Sequence, residues 1–299
     1  MKHKIKKSLG QNFLKSNLAL KKIIKAGEIS PNDIVLEIGP GKGALTEKLL
    51  EKAKLVIAVE KDKNLFQFLQ EKFSEEIKNG KLILIEEDIL KFKISQMRNI
   101  ILKSLGSRDG DGQRKFSAEN FCAFQNNVPH FNYKIIANIP YNITGAILKK
   151  FLTEKNQPSM MVLMVQNEVA KRIVANDKKE SILSISVKAY GEPKIIMKVP
   201  ARYFSPAPKV DSAIIAIKNI SRKIFTKNKI NEGHALMDGT WHDSAESKNF
   251  WEIIHAGFSH KRKKLSNNLK NIIKNIPEEY KGKRAENLSL SDWINIAKE

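Results

Sequence analysis

The sequence predicts an α/β protein, a doubly wound sheet followed by a small α-helical C-terminal part. Short apolar runs of strand length alternate with stretches of helical period from Ile34 onward, the pattern of consecutive βαβ units. That alternation stops after Lys218, where the chain turns polar and then basic and helical. At 299 residues, 41% apolar and 28% charged, the chain is globular and long enough for two domains with cores of their own.

Leu18, Ile23 and Ile24 recur at helical spacing and predict a helix over 17–25, ended by Gly27. A buried strand over 33–38 leads into the tight turn Gly39-Pro40-Gly41-Lys42-Gly43 and a helix over 44–52. A second strand over 54–59 ends at Glu60, a helix fills 63–78, and a third strand over 81–85 ends before Asp88. Residues 97–132 break the rhythm and read as an insertion, because a structureless loop of that length is unusual inside a domain. Asp109 and Asp111 resemble the start of a calcium loop. Gln113 and Arg114 occupy the next ligand and turn positions, so no metal is expected.

The alternation resumes with a strand over 133–137, the segment Asn138-Ile139-Pro140-Tyr141, and a helix over 144–152. A strand over 159–165, helices over 167–174 and 182–190, and strands over 194–199 and 210–217 complete a domain at 1–218. The last two strands flank a Pro-rich segment, 200–208. A second domain spans 219–299, with a polar linker over 219–247 and one amphipathic Lys-rich helical stretch over 250–276.

Lys+Arg exceed Asp+Glu by 21 (53 against 32), with a pI near 9.8. Nucleic acid is the partner such a field attracts, while lysine on solvated helix faces gives the same total. Lys261-Arg262-Lys263-Lys264, with Lys270 and Lys274, gathers cations around a helix start, where they can neutralise phosphates or, taken by themselves, form a solvated helix face. No apolar run reaches about 18 residues, so no membrane helix is expected. The basic start, 1–7, has no apolar segment behind it and does not read as a secretory signal. Cys122 is the single cysteine, which excludes a disulfide within the chain and suits a reducing, cytoplasmic compartment. The histidines show no metal-ligand spacing.

Glu37-Ile38-Gly39-Pro40-Gly41-Lys42-Gly43 follows a strand and opens a helix, where glycines let the backbone approach a ligand. Glu60 ends the next strand 21 residues after Gly39, the place of a carboxylate that accepts from ribose hydroxyls. Asp88, at the third strand end, is placed to meet an adenine amino group. The dinucleotide fingerprint is G-x-G-x-x-G, whereas this turn is G-x-G-x-G preceded by Glu37, which favours S-adenosylmethionine over NAD. No Walker pattern is present.

Asn138-Ile139-Pro140-Tyr141 follows the fourth strand on the same edge. Proline fixes its own φ and restricts Ile139, which makes a rigid turn. Such a turn suits methyl transfer to an exocyclic amino nitrogen. The Asn138 oxygen and a backbone carbonyl would accept the amino N–H groups and localise the lone pair, and Tyr141 would stack on the base. Positioning and electrostatics then carry the reaction.

At this point the chain resembles the ribosomal RNA adenine N6-dimethyltransferases. The matching segments are Gln11-Asn12-Phe13-Leu14, Glu37 to Thr46 with its glycine turn, Glu60, Asp88, Asn138-Ile139-Pro140-Tyr141-Asn142-Ile143, Gln166-Asn167-Glu168-Val169, and Phe204-Ser205-Pro206-Ala207-Pro208-Lys209-Val210-Asp211-Ser212. The resemblance implies a Rossmann-like seven-stranded class I methyltransferase sheet with a small helical C-terminal domain. It implies S-adenosylmethionine held by Asn12, Leu14, Gly39, Gly41, Glu60, Asp88 and Asn138, with Asn12 and Leu14 closing over it. Catalysis would rest on Asn138, Ile139, Pro140 and Tyr141. Tyr141 and Phe204 would sandwich a flipped-out adenine, and Lys261, Arg262 and Lys263 would bind RNA.

Pro206 to Ser212 and Phe258-Ser259-His260-Lys261-Arg262-Lys263-Lys264-Leu265 look closer to the housekeeping branch. That branch dimethylates two adjacent adenines in a hairpin loop near the 3′ end of small-subunit (16S) rRNA during subunit maturation. The expected partner is therefore that RNA or an immature small subunit, met by a monomer without a membrane. The alternatives are a large-subunit methylase of the macrolide-resistance type and a non-catalytic nucleic-acid-binding factor on the same fold. Departures from the family pattern are Glu180-Ser181-Ile182-Leu183-Ser184, Asn167 at a position where Lys or Arg is common, the long insertion and the long linker.

Overall fold

The structure is a computed structural model that describes residue 6 and residues 9–105, 107–108, 114–115, 131–175, 177–230, 250–273 and 275–298. The suggested calcium-loop residues Asp109, Asp111 and Gln113, Cys122, Lys274, most of the basic start, most of the insertion and much of the linker lie outside the described residues.

Seven strands form one sheet: β1 (Ile34–Ile38), β2 (Leu55–Glu60), β3 (Leu82–Glu86), β4 (Lys134–Asn138), β5 (Met160–Gln166), β6 (Glu192–Val199) and β7 (Ser212–Lys218). Their order is β3-β2-β1-β4-β5-β7-β6. The pairs from β3 through β5 are all parallel. Strand β7 runs antiparallel to β5, with Ser212 opposite Gln166 and Ile217 opposite Met161. The sheet is thus mixed: parallel over the strands whose alternation with helices predicts parallel units, and antiparallel where β7 joins. The reason lies in residues 200–211, which hold only a 3₁₀ turn (Ala201–Tyr203) and a two-residue strand (Phe204–Ser205) and lack the helix of a parallel crossover.

Every residue of β2 is buried, and so is every residue of β5 but Gln166, as a strand covered on both faces requires. Because β1 to β4 are parallel, their carboxyl ends share one edge. The glycine turn, Glu60, Asp88 and Asn138 therefore converge there, outside the point where the order reverses between β1 and β4.

Helices α1 (Asn17–Ala26), α2 (Ala44–Leu50), α3 (Lys63–Lys72), α4 (Ser74–Lys78), α5 (Ile94–Leu105) and α6 (Thr144–Thr153) fill the connections. The helix expected over 63–78 breaks at Phe73, a buried ring. A Cβ on Gly43 would meet that ring at 2.5 Å, so the glycine, at φ +79°, admits the close packing of turn and helix. Helix α5 runs on into the segment 97–132, so the break in the alternation begins later than the sequence pattern predicts.

The chain divides into two compact units, Met1–Asn167 with Ile195–Lys218, and Glu168–Lys194 with Asn219–Glu299. The units part after Lys218, where the sequence places the domain boundary, and the stretch Glu168–Lys194 groups with the C-terminal residues. This second unit holds most of α7 (Asn167–Val174), then α8 (Ile182–Lys188), α9 (Lys223–Asn228), α10 (Phe250–Gly257), α11 (Leu265–Leu269), α12 (Glu278–Lys281) and α13 (Leu290–Ile296). Its core is aromatic. Tyr190 and Trp251 stack at 6.0 Å, Phe225 meets Phe250 edge-on at 5.6 Å, and Phe258 stacks on Trp293 at 5.5 Å.

The single helical stretch expected over 250–276 is instead two short helices, α10 and α11. Asn268 Nδ2 donates to the Gly257 and His260 carbonyls at 2.6 and 3.2 Å, satisfying groups that a continuing helix would have bonded. Gly257 is there for space, since a Cβ would meet the Trp293 ring at 2.2 Å.

Candidate active site

A cleft of about 630 Å³ opens at the carboxyl edge of β1 to β4, within the range of small-molecule sites. It is lined by the N-terminal residues 9–15, the glycine turn, Glu60, Asp88 and the Asn138 to Ile143 segment. Gly39 and Gly41 sit at φ +63° and +60°. A Cβ on Gly39 would meet nothing within 4 Å, whereas one on Gly41 would press on the Phe13 ring at 3.0 Å. Gly39 therefore serves the turn's left-handed backbone, and Gly41 also admits the N-terminal segment against it.

Glu60 organises the turn. Its Oε2 accepts the Gly41 N–H at 3.1 Å and its Oε1 the Asp62 N–H at 2.9 Å. Burial raises its carboxyl above the usual range, opposed by those two amides. A carboxylate has about four acceptor sites, so with the Asp62, Gly41 and Lys61 amides on it Glu60 still has capacity for a ribose hydroxyl. Asp88 Oδ1 accepts from Leu90 N at 2.9 Å and Oδ2 from Lys61 Nζ at 2.8 Å. Burial works to raise Asp88, but Lys61 and the Leu90 amide prevail and hold it below the ordinary range. Lys61 is a cleft residue that sequence reading missed, and its place beside Glu60 is the signal that pointed to it.

Asn138 ends β4. Its Nδ2 donates to the Asn12 carbonyl at 3.1 Å, which commits one of the amide's two N–H donors and orients Oδ1 as its acceptor. Ile139 is buried, and Pro140 at φ −60° opens a 3₁₀ turn, Tyr141–Ile143. The Tyr141 hydroxyl bonds Ser212 Oγ at 2.5 Å. Burial raises the Tyr141 phenol, and Ser212 opposes the shift. Ser212, the last residue of the Pro-rich motif, anchors the ring from the first residue of β7.

Asn12, Leu14, Gly39, Gly41, Glu60, Asp88, Asn138, Ile139, Pro140 and Tyr141 all line the one cleft. Phe204 does not. It is 2% exposed, in the core with Leu14, because Phe13–Leu14 pairs antiparallel with Phe204–Ser205. The expected sandwich of an adenine between Tyr141 and Phe204 is therefore not assembled in this structure. Ser205 reaches the cleft in its place. Lys261, Arg262 and Lys263 belong to the second unit, exposed on the turn between α10 and α11. Among the described residues no cluster of metal-ligating side chains occurs, and no helix is long and apolar enough to cross a membrane.

The family described as ribosomal RNA adenine dimethylase matches residues 2–232. The chain belongs to that family. A protein of Dehalococcoides mccartyi named ribosomal RNA small subunit methyltransferase A is 37% identical, over 99% of this chain and 88% of its own. One of the same name from Fusobacterium nucleatum is 35% identical, over 100% and 98%. Among solved structures, a dimethyladenosine transferase from Plasmodium falciparum superposes with a TM-score of 0.67 at 26% identity, covering 95% of each chain. The 23S rRNA methyltransferase ErmE superposes at 0.65 with 19% identity, over 96% of this chain and 100% of that one, which speaks to the fold alone.

Glu37 is the unusual group in this family member's cleft. It is 1% exposed, and its Oε2 finds no partner. Burial pushes its carboxyl up to about 8, with the Glu60 charge adding to the shift and the Thr46 hydroxyl opposing it. The folded state thus holds a proton that the unfolded chain releases near 4.5. Stability from that proton is complete below about 4.5 and is lost as pH rises through about 8, by up to about 1.4 kcal/mol per pH unit. Melting temperatures of the ligand-free protein are expected to fall from pH 5 to 9 more steeply than those of Glu37→Gln. Parallel curves would show that Glu37 is ionised in the fold.

Proposed function

We infer that the protein transfers methyl groups from S-adenosylmethionine to N6 of adenines in small-subunit ribosomal RNA, forming dimethyladenosine. The observation that carries this reading is the Asn138 amide, oriented by one N–H bond to Asn12 with its oxygen left for a substrate amino group, beside Tyr141 in the glycine-turn cleft. The relatives similar over nearly the whole chain bear small-subunit names, so the large-subunit alternative is not favoured. Nor is the non-catalytic one, because both the cofactor residues and the Asn-Ile-Pro-Tyr turn are intact. The substrate proposed is two adjacent adenines of a hairpin loop near the 3′ end, in an immature subunit, with the protein acting as a cytoplasmic monomer.

The cleft fits the methyl donor. Glu60 would accept from the ribose hydroxyls, Asp88 from the adenine amino group, and the Gly39 to Gly41 backbone, Asn12 and Leu14 would enclose the rest. When bound, S-adenosylmethionine supplies a methyl group already activated on a sulfonium sulfur. The chain's own work is to place the target nitrogen. Asn138 Oδ1 and a carbonyl of the rigid turn accept its N–H groups, which directs the lone pair away from the ring. Tyr141, fixed by Ser212, stacks on the base and keeps it in line. Each transfer would form one N–C bond as the donor's S–C bond breaks, leaving S-adenosylhomocysteine, and the amino nitrogen would lose one proton to solvent; the second would act at the same nitrogen, where a single N–H remains to be accepted.

The test is transfer of labelled methyl groups to unmethylated small subunits, with large subunits in parallel and the labelled nucleoside identified after digestion. Dimethyladenosine in the small subunit is expected. Label confined to the large subunit would move the protein to the resistance-type branch, and no label on either would remove the enzymatic reading.

A further inference from the structure

We propose that Asp62 is a latch, a positioning residue whose buried carboxylate ties the N-terminal strap to the cofactor edge of the sheet. The proposal rests on reading the cleft as the S-adenosylmethionine site. Residues 9–15 form one wall of that cleft. At its far end the strap is held by the pairing of Phe13–Leu14 with Phe204–Ser205 and by Lys15 N donating to the Tyr203 carbonyl at 2.8 Å. In its middle, the Asn12 carbonyl accepts from Asn138. At its near end it is held by Asp62. Lys6 Nζ donates to Oδ1 and Gln11 Nε2 to Oδ2, both at 2.7 Å, and Lys6 N closes the loop onto Gln11 Oε1 at 2.8 Å.

Asp62 also caps α3, accepting from Asn64 N at 3.0 Å. Capping needs one side-chain oxygen and no charge, and Ser or Asn serves as well. A carboxylate 1% exposed is costly unless paired. The second oxygen is explained by Gln11 of the strap and the charge by Lys6, which precedes it in sequence. Burial works to raise the Asp62 carboxyl, and these two donors hold it below the ordinary range. The latch reaches the ligand wall directly, because Asp62 N–H donates to Glu60 Oε1, the carboxylate that also receives Gly41 N–H. Strap, latch, ribose-binding carboxylate and glycine turn are one hydrogen-bonded chain. Gln11 of the Gln-Asn-Phe-Leu motif thereby gains a role distinct from its neighbours, as the strap's hold on the sheet.

The experiment uses the full chain and S-adenosylhomocysteine, the product form, as the probe. Its affinity and dissociation rate are measured for wild type, Gln11→Leu, Lys6→Met, the double variant and the conservative Lys6→Arg, together with amide exchange over residues 9–14. The double variant is expected to bind about tenfold more weakly, mainly through faster release, with faster exchange in the strap and partial rescue in Lys6→Arg. Lys134→Met serves as the control. It removes an ion pair to Asp33 at 2.9 Å on a residue outside the cleft lining, and is expected to lower the melting temperature with affinity unchanged. Wild-type affinity and exchange in the double variant would overturn the latch, as would an equal loss in Lys134→Met. Failure of the wild type to bind the probe would instead overturn the reading of the cleft.

Discussion

Asn138→Ala is expected to lower the turnover of methyl transfer by about 10² or more, the effect of deleting one hydrogen bond that strengthens in the transition state. The geometry makes the test sharper than a simple knockout. Asn138 has two jobs at its two side-chain atoms: Nδ2 holds the Asn12 carbonyl of the strap, and Oδ1 is left for the substrate amino group. Loss of the first weakens ligand binding, and loss of the second slows chemistry. The variant should therefore show a large fall in kcat with a change in S-adenosylhomocysteine affinity of less than about tenfold. The side chain is at a strand end, so the fold should persist. A variant that turns over like wild type would remove Asn138 from the reaction. One that loses affinity and keeps kcat would confine it to the strap.

The cleft was legible in the sequence because its parts are local. A glycine turn after one strand, a carboxylate at the end of the next and an Asn-x-Pro-Tyr turn after the fourth each declare themselves within a few residues. Parallel topology then brings them to one edge. What the sequence hid was set by distant partners. Phe204 sits in an exposed-looking Pro-rich loop, yet it is buried because a two-residue strand from Phe13–Leu14 pairs with it. No periodicity announces a pairing that short. The break between α10 and α11 showed only as the polar run 259–264, which a helical reading of the whole stretch 250–276 passes over. It is made by the Asn268 side chain and the Trp293 ring, both outside α10 in sequence. Glu37 read as part of a motif, and only its burial beside Glu60 marks it as a proton-holding group. The grouping of Glu168–Lys194 with the C-terminal unit had no sequence signal, since its helices have the same pattern as those of the sheet domain.

Replacing Lys261, Arg262 and Lys263 together by glutamine is expected to weaken binding of small-subunit rRNA by tenfold or more. It is also expected to flatten the dependence of log K on log salt by about two to three units, three phosphate contacts at roughly 0.7 to 0.9 each. The three side chains are exposed on the turn before α11, and among the described residues none has a carboxylate partner. The local structure gives them no reason to be cationic. They precede a helix N-terminus, where the backbone dipole disfavours positive charge. The turn is held by neutral groups, with Lys263 N donating to the His260 carbonyl at 3.0 Å and Asn268 fixing the same carbonyl. Stability should therefore change little, so a loss of binding cannot be a loss of fold. The variant should also keep its affinity for S-adenosylhomocysteine, because these residues do not line the cleft. Activity should then return when salt is lowered, because the remaining positive field recovers part of the lost attraction. An unchanged salt slope would assign the three charges to a solvated face and leave RNA binding to other cations.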